Sequence, residues 1–444
     1  MTNILSLLRP ARPAAALAAA VLSALLAGGC GESTTTPPPP PLTSELMGVS
    51  GRAVTWTTNL PTRGAVRYGF VAGRQDHLAY PAVAGGGDKS YGTTHVVPLL
   101  GVPPQGATVY VRRADRAQDG RFFVADEETL VLDPFPATGP LLTFTTLDVQ
   151  FGDAHVLRLP TEGRVVVIDA GSPYESLNEE TAPRHVMRWL DDRAIDRLDV
   201  AIGTHVHADH IGGFVEADGD GAAGLFDRFV IGAYLDVPAV TETRTLYSRL
   251  QVMLAERGIP RLVIASGMTS DSDPAELAWD NLVDVVVLNA GAQPAWDGGD
   301  ENNDSVVLKV SYGEVDLITG GDCLVAGEER ILSLYGGELA GVEYFKSSHH
   351  GRDNANSAPY LLAIAPRVAV IPVAFAAYYE GADQGAQDTA QTLERLGALG
   401  ADVFRFDAAD PLGHVQDDRT FWHTNFVTDG ISYEIRIEPS IWGI

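Results

Sequence analysis

Thr204-His205-Val206-His207-Ala208-Asp209-His210-Ile211-Gly212-Gly213 follows directly on the apolar run 198–202. Three imidazoles and a carboxylate within six residues are hard to place in a packed interior, because histidine seldom clusters in a core. Metal ligation explains them better. A short loop leaving a buried strand can turn alternate side chains toward one point, so His205 and His207 can share one ion while Asp209 and His210 face a second. Imidazole nitrogen with carboxylate oxygen is a donor set that suits zinc. The competing reading is a polar surface loop whose histidines met by chance, and the ordered set argues against it.

The chain has 444 residues, 45% of them hydrophobic, enough for two domains that each bury a core. Residues 1–30 read as a processing segment. Arg9 and Arg12 precede an apolar stretch, 14–27, that is too short and too Ala-rich to span a bilayer comfortably. Its end, Ala27-Gly28-Gly29-Cys30, resembles a bacterial lipoprotein signal in which Cys30 is lipidated and becomes the first mature residue; an ordinary secretory peptide is the alternative. Both readings place the protein outside the cytoplasm, in the cell envelope or beyond. Residues 31–43 carry Pro37 to Pro41 and read as an extended, proline-rich linker. Cys323 is then the only remaining thiol, so no intramolecular disulfide is expected. A net charge of −27 repels polyanions, which makes long nucleic acid a poor candidate partner.

Residues 44–137 read as all-β. Val54 and Trp56 alternate with Thr55 and Thr57, a turn is expected over Asn59-Leu60-Pro61-Thr62-Arg63-Gly64, and Val66 and Tyr68 resume the alternation. Further short apolar pieces fit a small sandwich. Val54 to Asn59 with Val66-Arg67-Tyr68-Gly69 resembles fibronectin type III modules and the N-terminal module of purple acid phosphatases. His77 and His95 have no companions and read as packing or surface residues. Residues 138–444 form the second domain, and the proline-rich junction before it predicts separate cores. Strands are expected at 143–149, 154–159, 164–168, 280–288, 305–310, 315–319, 342–345, 368–373, 403–406 and 431–437, with helices near 182–192 and 388–399. This alternation fits a four-layer α/β sandwich.

Polar groups recur just after apolar strands at Asp169, His205, Asp322 and the His349/His350 pair, and a sheet brings such strand ends to one edge. Asp322 has the chemistry to bridge two ions, and one of His349 and His350 can complete the second. Asp169 reads as a carboxylate that orients a ligand histidine. The ordered motifs resemble the metallo-β-lactamase superfamily, and in particular the β-lactamase-like domain of the ComEC/Rec2 competence proteins, whose pattern the phosphorylcholine esterases share. The matching pieces are 147–154, 168–171, 204–213, 302–308, 319–322 and 346–351. The resemblance implies an α/β fold, the four-layer αββα sandwich of that superfamily, here preceded by a small all-β sandwich. It also implies a two-metal site on His205, His207, Asp209, His210, Asp322, His349 or His350.

Residues 211–348 contain no histidine, although many two-zinc relatives supply one there. The first ion would rest on His205, His207, Asp322 and solvent, helped by Asn303 or Asp304, and manganese becomes a candidate occupant because oxygen donors favour harder ions. Ser347 and Ser348 lack a nucleophile elbow, Cys323 reads as a core residue, and His414 and His423 read as structural. The acidic runs Asp218-Gly219-Asp220 and Asp297-Gly298-Gly299-Asp300-Glu301 lack calcium-loop spacing and read as solvated turns. The expected function is an exported metallohydrolase with Asp209 and Asp169 at its centre, in which two divalent ions activate a hydroxide toward a small or wall-linked phosphodiester or related ester. The rival is a noncatalytic surface lipoprotein with a degenerate scaffold and an adhesive β-sandwich.

Overall fold

A computed structural model describes residues 40–83, 88–137, 139–150, 152–172, 182–215, 223–237, 245–291, 300–372, 389–406 and 422–439. The signal segment with Cys30, most of the linker, the Asp218-Gly219-Asp220 run, residues 297–299 and His414 lie outside them.

The first module consists of β1 (Ser44–Ser50), β2 (Ala53–Gly69), β3 (His77–Ala79), β4 (Gly92–Pro98), β5 (Ala107–Ala117), β6 (Phe122–Val124) and β7 (Glu128–Leu132). The turn expected at Asn59 to Gly64 does not form, and β2 runs straight through it. Instead the register of β2 against β4 jumps from Thr57↔Thr94 to Thr62↔Gly92. Pro61 stands inside that break, where the ladder asks for no N–H that proline lacks. One half of β2 therefore pairs with β1 and β4, and the other with β3 and β5. Val54, Trp56, Val66, Tyr68, Val97 and Val111 fill the module's own core.

The second domain is built from two sheets. The first takes β8 (Leu142–Thr146), β9 (Ala154–Arg158), β10 (Val165–Ala170), β11 (Arg197–Ile202), β12 (Val230–Asp236) and β13 (Arg261–Val263), with a closing hairpin discussed below. The second takes β14 (Val283–Asn289), β15 (Val307–Tyr312), β16 (Val315–Thr319), β17 (Tyr344–Lys346), β18 (Val368–Ile371) and β19 (Asp402–Arg405) in that spatial order. Period-two alternation sets the layers. Val166 and Ile168 of β10 meet Val283, Val285 and Val287 of β14 between the sheets. Val165 and Val167 point the other way.

The helices are α1 (Ala182–Asp191), α2 (Ala208–Ile211), α3 (Leu225–Arg228), α4 (Thr245–Glu256), α5 (Pro274–Leu277), α6 (Val325–Tyr335), α7 (Ala358–Ile364) and α8 (Ala390–Ala398). Val186 and Leu190 of α1 with Leu250 and Leu254 of α4 cover the outer face of the first sheet. Ile331 of α6, Leu361 of α7 and Leu396 of α8 cover the outer face of the second, against Val286, Ile318 and Phe345. Helix, sheet, sheet and helix follow one another, which is the expected αββα sandwich. Each fully buried valine or leucine contributes roughly 1.5–3 kcal/mol relative to exposure.

The expectation of separate cores holds only in part, since the first module has a core of its own and also shares one with the sandwich. The closing hairpin, β20 (Trp422–Thr428) and β21 (Tyr433–Pro439), joins the first sheet beside β8, and β21 pairs onward with β3 of the first module. Leu78, Tyr80 and Val83 pack among the inter-sheet residues of the second domain. An edge strand exposes unpaired backbone groups, and β3 covers the one that β21 would otherwise present.

Candidate metal centre

Strands β10 and β11 run parallel, as do β16 and β17, so their carboxyl ends open on the same rims of their sheets. β10 carries Asp169 one residue before its end, β11 delivers the loop that turns into α2, β16 delivers Gly320-Gly321-Asp322, and β17 leads to Ser348–Gly351. Gly321 is required where it stands, because a Cβ there would sit 2.5 Å from Thr204 Oγ1. The rim is strained. Asp169, His349 and His350 all have positive φ, at 59°, 46° and 53°, a left-handed conformation that costs a side-chain-bearing residue on the order of 1–3 kcal/mol.

These loops bring Asp209, His210, Asp322 and His350 together, one donor atom of each lying within 4.8 Å of the others. His210 Nε2 stands 3.2 Å from Asp322 Oδ2 and 3.9 Å from Asp209 Oδ2. His350 Nε2 stands 3.3 and 3.4 Å from the same two oxygens. Although buried, both Nε2 atoms and Asp322 Oδ1 have no hydrogen-bond partner. Buried polar atoms left so are rare and call for an explanation. Donors bound at about 2.0–2.2 Å around a tetrahedral zinc would stand about 3.3–3.6 Å apart, close to the spacing found. The residues therefore fit a divalent ion. Burial opposes the charge on Asp322, yet His350 and His210 hold its carboxyl well below the usual range.

His205 and His207 stand next to this group, their rings 4.5 Å apart between centroids. His205 is buried, and its Nε2 also lacks a partner. Its Nδ1 meets the hydroxyls of Thr204 at 3.1 Å and Ser305 at 3.4 Å. His207 Nε2 is hydrogen-bonded to Glu301 Oε2 at 3.0 Å.

Behind the donors lies a layer of carboxylates. Asp169 Oδ1 accepts from Thr204 N at 2.8 Å, while its Oδ2 accepts from Thr204 Oγ1 and faces His210 Nδ1, each at 2.8 Å. Asp153 Oδ1 lies 3.2 Å from His350 Nδ1, and its Oδ2 pairs with Lys346. Burial works against the Asp153 charge, but Lys346 and then His350 hold its carboxyl well below the normal range. Lys346 Nζ also donates to Gly321 O at 3.0 Å, and Asp153 N donates to Asp209 O at 3.1 Å.

Of the two adjacent histidines, His350 joins the group. His349 stays at the rim, with Nε2 3.7 Å from Asp322 and Nδ1 on Asn354 at 2.8 Å. Asn303 does not help the first ion, since its Oδ1 accepts from Gly327 N at 3.0 Å at the start of α6. Asp304 falls in the same short turn, Glu301–Asp304, and, like His205 and His207, belongs to neither metal-sized grouping among the described residues. Ser347 Oγ donates to Val370 O at 3.0 Å, Cys323 is buried in the helix-side core, and His423 Nδ1 accepts from Asp148 N at 3.0 Å. His95 packs on Trp56 and His77 on Tyr68. Asp153 and Lys346 lie in pieces that carry the resemblance but received no role from it, and Glu301 was expected in a solvated turn; the folded chain instead sets Asp153 against His350 and Lys346, and Glu301 against His207.

Residues 147–223 match the metallo-beta-lactamase superfamily model. The chain is 31% identical over 113 residues to competence protein ComA of Neisseria gonorrhoeae, covering 26% of this chain and 15% of that protein. It is 22% identical over 250 residues to ComE operon protein 3 of Bacillus subtilis (strain 168), covering 51% of this chain and 27% of the relative. The chain thus spans well under half the length of either relative. Among solved structures, purple acid phosphatase PPD1 from yellow lupin (Lupinus luteus) seeds is 12% identical with a TM-score of 0.22, over 90% of this chain and 72% of that chain. A likeness so slight bears on neither module.

Proposed function

We propose that this chain, which carries a metallo-β-lactamase-type domain similar to that of competence proteins, is an enzyme, a metal-dependent hydrolase of phosphodiesters or related esters working in the cell envelope. The observation that carries this reading is the buried group Asp209, His210, Asp322 and His350, whose inward-facing nitrogens and Asp322 Oδ1 have no protein partner. Divalent ions held there would lower the pKa of water and polarise a phosphoryl or acyl oxygen. Asp322 has one oxygen near both histidines and a second without a partner, so it is suited to bridge that site to a second ion on His205 and His207. Asp169 holds the ring of His210, and Asp209 stands at the mouth of the group, its side chain 19% exposed.

Zinc suits imidazole with carboxylate, and manganese is the candidate at the first position, where solvent oxygen would complete the set that His205, His207 and Asp322 leave open. A net charge of −27 favours a small or wall-linked ester over long nucleic acid. Envelope attachment would run through a lipid on Cys30, and among the described residues no helix is long and apolar enough to cross a membrane. The noncatalytic reading finds support in the missing histidine, but a scaffold released from catalysis has no need of strained backbone at Asp169 and His350. Elemental analysis of the purified protein, followed by turnover assays on phosphodiesters, phosphomonoesters, lactones and β-lactams, tests the proposal. Protein free of metal after refolding with zinc or manganese, or fully loaded protein inert on every substrate, would reject the enzyme.

A further inference from the structure

We infer that Glu301 is a positioning residue for the first ion, fixing the ring of His207 at a position for which residues 211–348 offer no further histidine. The inference rests on the metallohydrolase reading. Two kinds of contact coexist at this rim. His210, His350, Asp209 and Asp322 approach one another at 3.2–3.9 Å while His210 and His350 Nε2 stay without hydrogen bonds, so those contacts enclose a space. The His207 Nε2 to Glu301 Oε2 contact is different, an aligned hydrogen bond of 3.0 Å. It matches the Asp169 contact to His210 Nδ1 at 2.8 Å, which leaves the other nitrogen of that ring aimed into the group. A carboxylate behind a ligand histidine fixes its tautomer and orientation and raises its basicity.

The backbone around Glu301 supports this role. Asp300 Oδ1 caps the Glu301–Asp304 turn by accepting from Asn302 N at 3.1 Å. Beyond the turn, Val306 N donates to Thr204 O at 2.9 Å, and Ser305 Oγ accepts from Asp322 N at 3.0 Å while reaching His205 Nδ1. One short segment thus touches the histidine loop, the bridging aspartate and both histidines of the first position. His205 supplies the second, independent sign of a ligand there, because its ring is 2% exposed and its Nε2 has no partner.

The test uses the full chain with Glu301→Ala and Glu301→Gln, titrating apo protein with zinc against a competing chelator and recording the visible spectrum of the cobalt-loaded form. Glu301→Ala is expected to weaken the ion on His205 and His207 by about 10–100-fold, to leave the ion of the Asp209, His210, Asp322 and His350 group within about twofold, and to leave the melting temperature of the apo protein unchanged. Glu301→Gln keeps an acceptor oxygen for His207 and should lose less. Both ions bound by Glu301→Ala as in wild type, or both weakened equally, would overturn the inference while leaving the hydrolase reading intact. Wild type that binds no ion at all would overturn both.

Discussion

The Tyr68 hydroxyl donates to the Glu434 carboxylate at 2.7 Å across 366 positions of sequence. That contact joins the first module to the last strand of the sandwich, and it has company. Glu434 also accepts from Leu100 N at 2.9 Å, Lys89 pairs with Glu343 at 2.9 Å, and Tyr433 donates to Asp88 at 2.8 Å. A fragment beginning at Ala137 would strip β3 from β21 and leave Glu434 and Glu343 without these partners. It is expected to melt far below the whole protein or to aggregate, as size-exclusion chromatography and a thermal melt would report. A fragment that melts as sharply and as high as the intact chain would contradict the shared core.

Glu434 also sets an acid limit. Burial alone would push its carboxyl up, but Arg436 and His77 outweigh burial and bring it down to about 2. Because the folded value lies below the unfolded one, the stabilisation is present in full above the unfolded pKa of about 4.3 and is lost as pH falls through about 2. A shift of that size corresponds to about 3 kcal/mol. Denaturant melts of wild type and Glu434→Gln should differ most near pH 6, and the gap should close between pH 4 and 2. A gap independent of pH would remove Glu434 from the acid response.

The layers were legible because the strands near the site are buried on both faces and still alternate between two different cores, as Val165 to Ile168 do. Strand β20 was not, because all of Trp422–Thr428 is buried whatever its polarity, so Thr424 and Asn425 masked the pattern. The unbroken run of β2 was hidden by Pro61 and Gly64, residues that mark turns more often than register breaks. The histidine loop declared itself by local density. Glu301 and Asp153 could not, because each reaches the histidines from a distant segment, 94 positions away for Glu301 and His207, and Lys346, though close to His350 in sequence, shows its role only through Asp153, 193 positions away. The choice between His349 and His350 depended on two left-handed residues in succession, which composition does not encode.

That choice can be checked directly. His350→Ala should lose the ion of the four-residue group, with a drop in affinity beyond the roughly 10–100-fold typical of an outer-shell change. His349→Ala should keep the ion, since its Nδ1 is engaged with Asn354 and its Nε2 stands 3.7 Å off. Metal titration of the two variants decides it, and the reverse ranking would assign the site to His349.

Lys346 and Asp153 form a fully buried ion pair. Breaking such a pair by removing one partner costs about 3–5 kcal/mol, because the other charge is left buried alone. Lys346→Met should therefore be strongly destabilised, and adding Asp153→Asn should recover part of the loss. A double-mutant cycle in chemical denaturation measures the coupling. Additive losses would mean that the two residues act independently.

Asp169 offers the sharpest test of how the donors are held. Its carboxylate meets three donors, Thr204 N, Thr204 Oγ1 and the His210 ring, all at 2.8 Å, from a backbone with φ of 59°. Asparagine is nearly isosteric and tolerates left-handed backbone, so Asp169→Asn should fold. Its amide can present an oxygen to Thr204 N, but then it turns an NH2 toward His210, where a carboxylate stood. The ring would lose the partner that keeps Nδ1 protonated and Nε2 free. Metal affinity should fall by about 10–100-fold, with a loss of apo stability of about 1–3 kcal/mol. Thr204→Val separates the two effects at the His210 site, because it removes one hydroxyl donor to Asp169 and leaves the Asp169 contact to His210 in place; as the same hydroxyl meets His205 Nδ1, it should lower stability and touch the ion on His205 while sparing the ion of the four-residue group. Zinc titration with parallel denaturant melts reads both quantities, and an Asp169→Asn protein that binds its ions as tightly as wild type would show that the ring of His210 needs no carboxylate behind it.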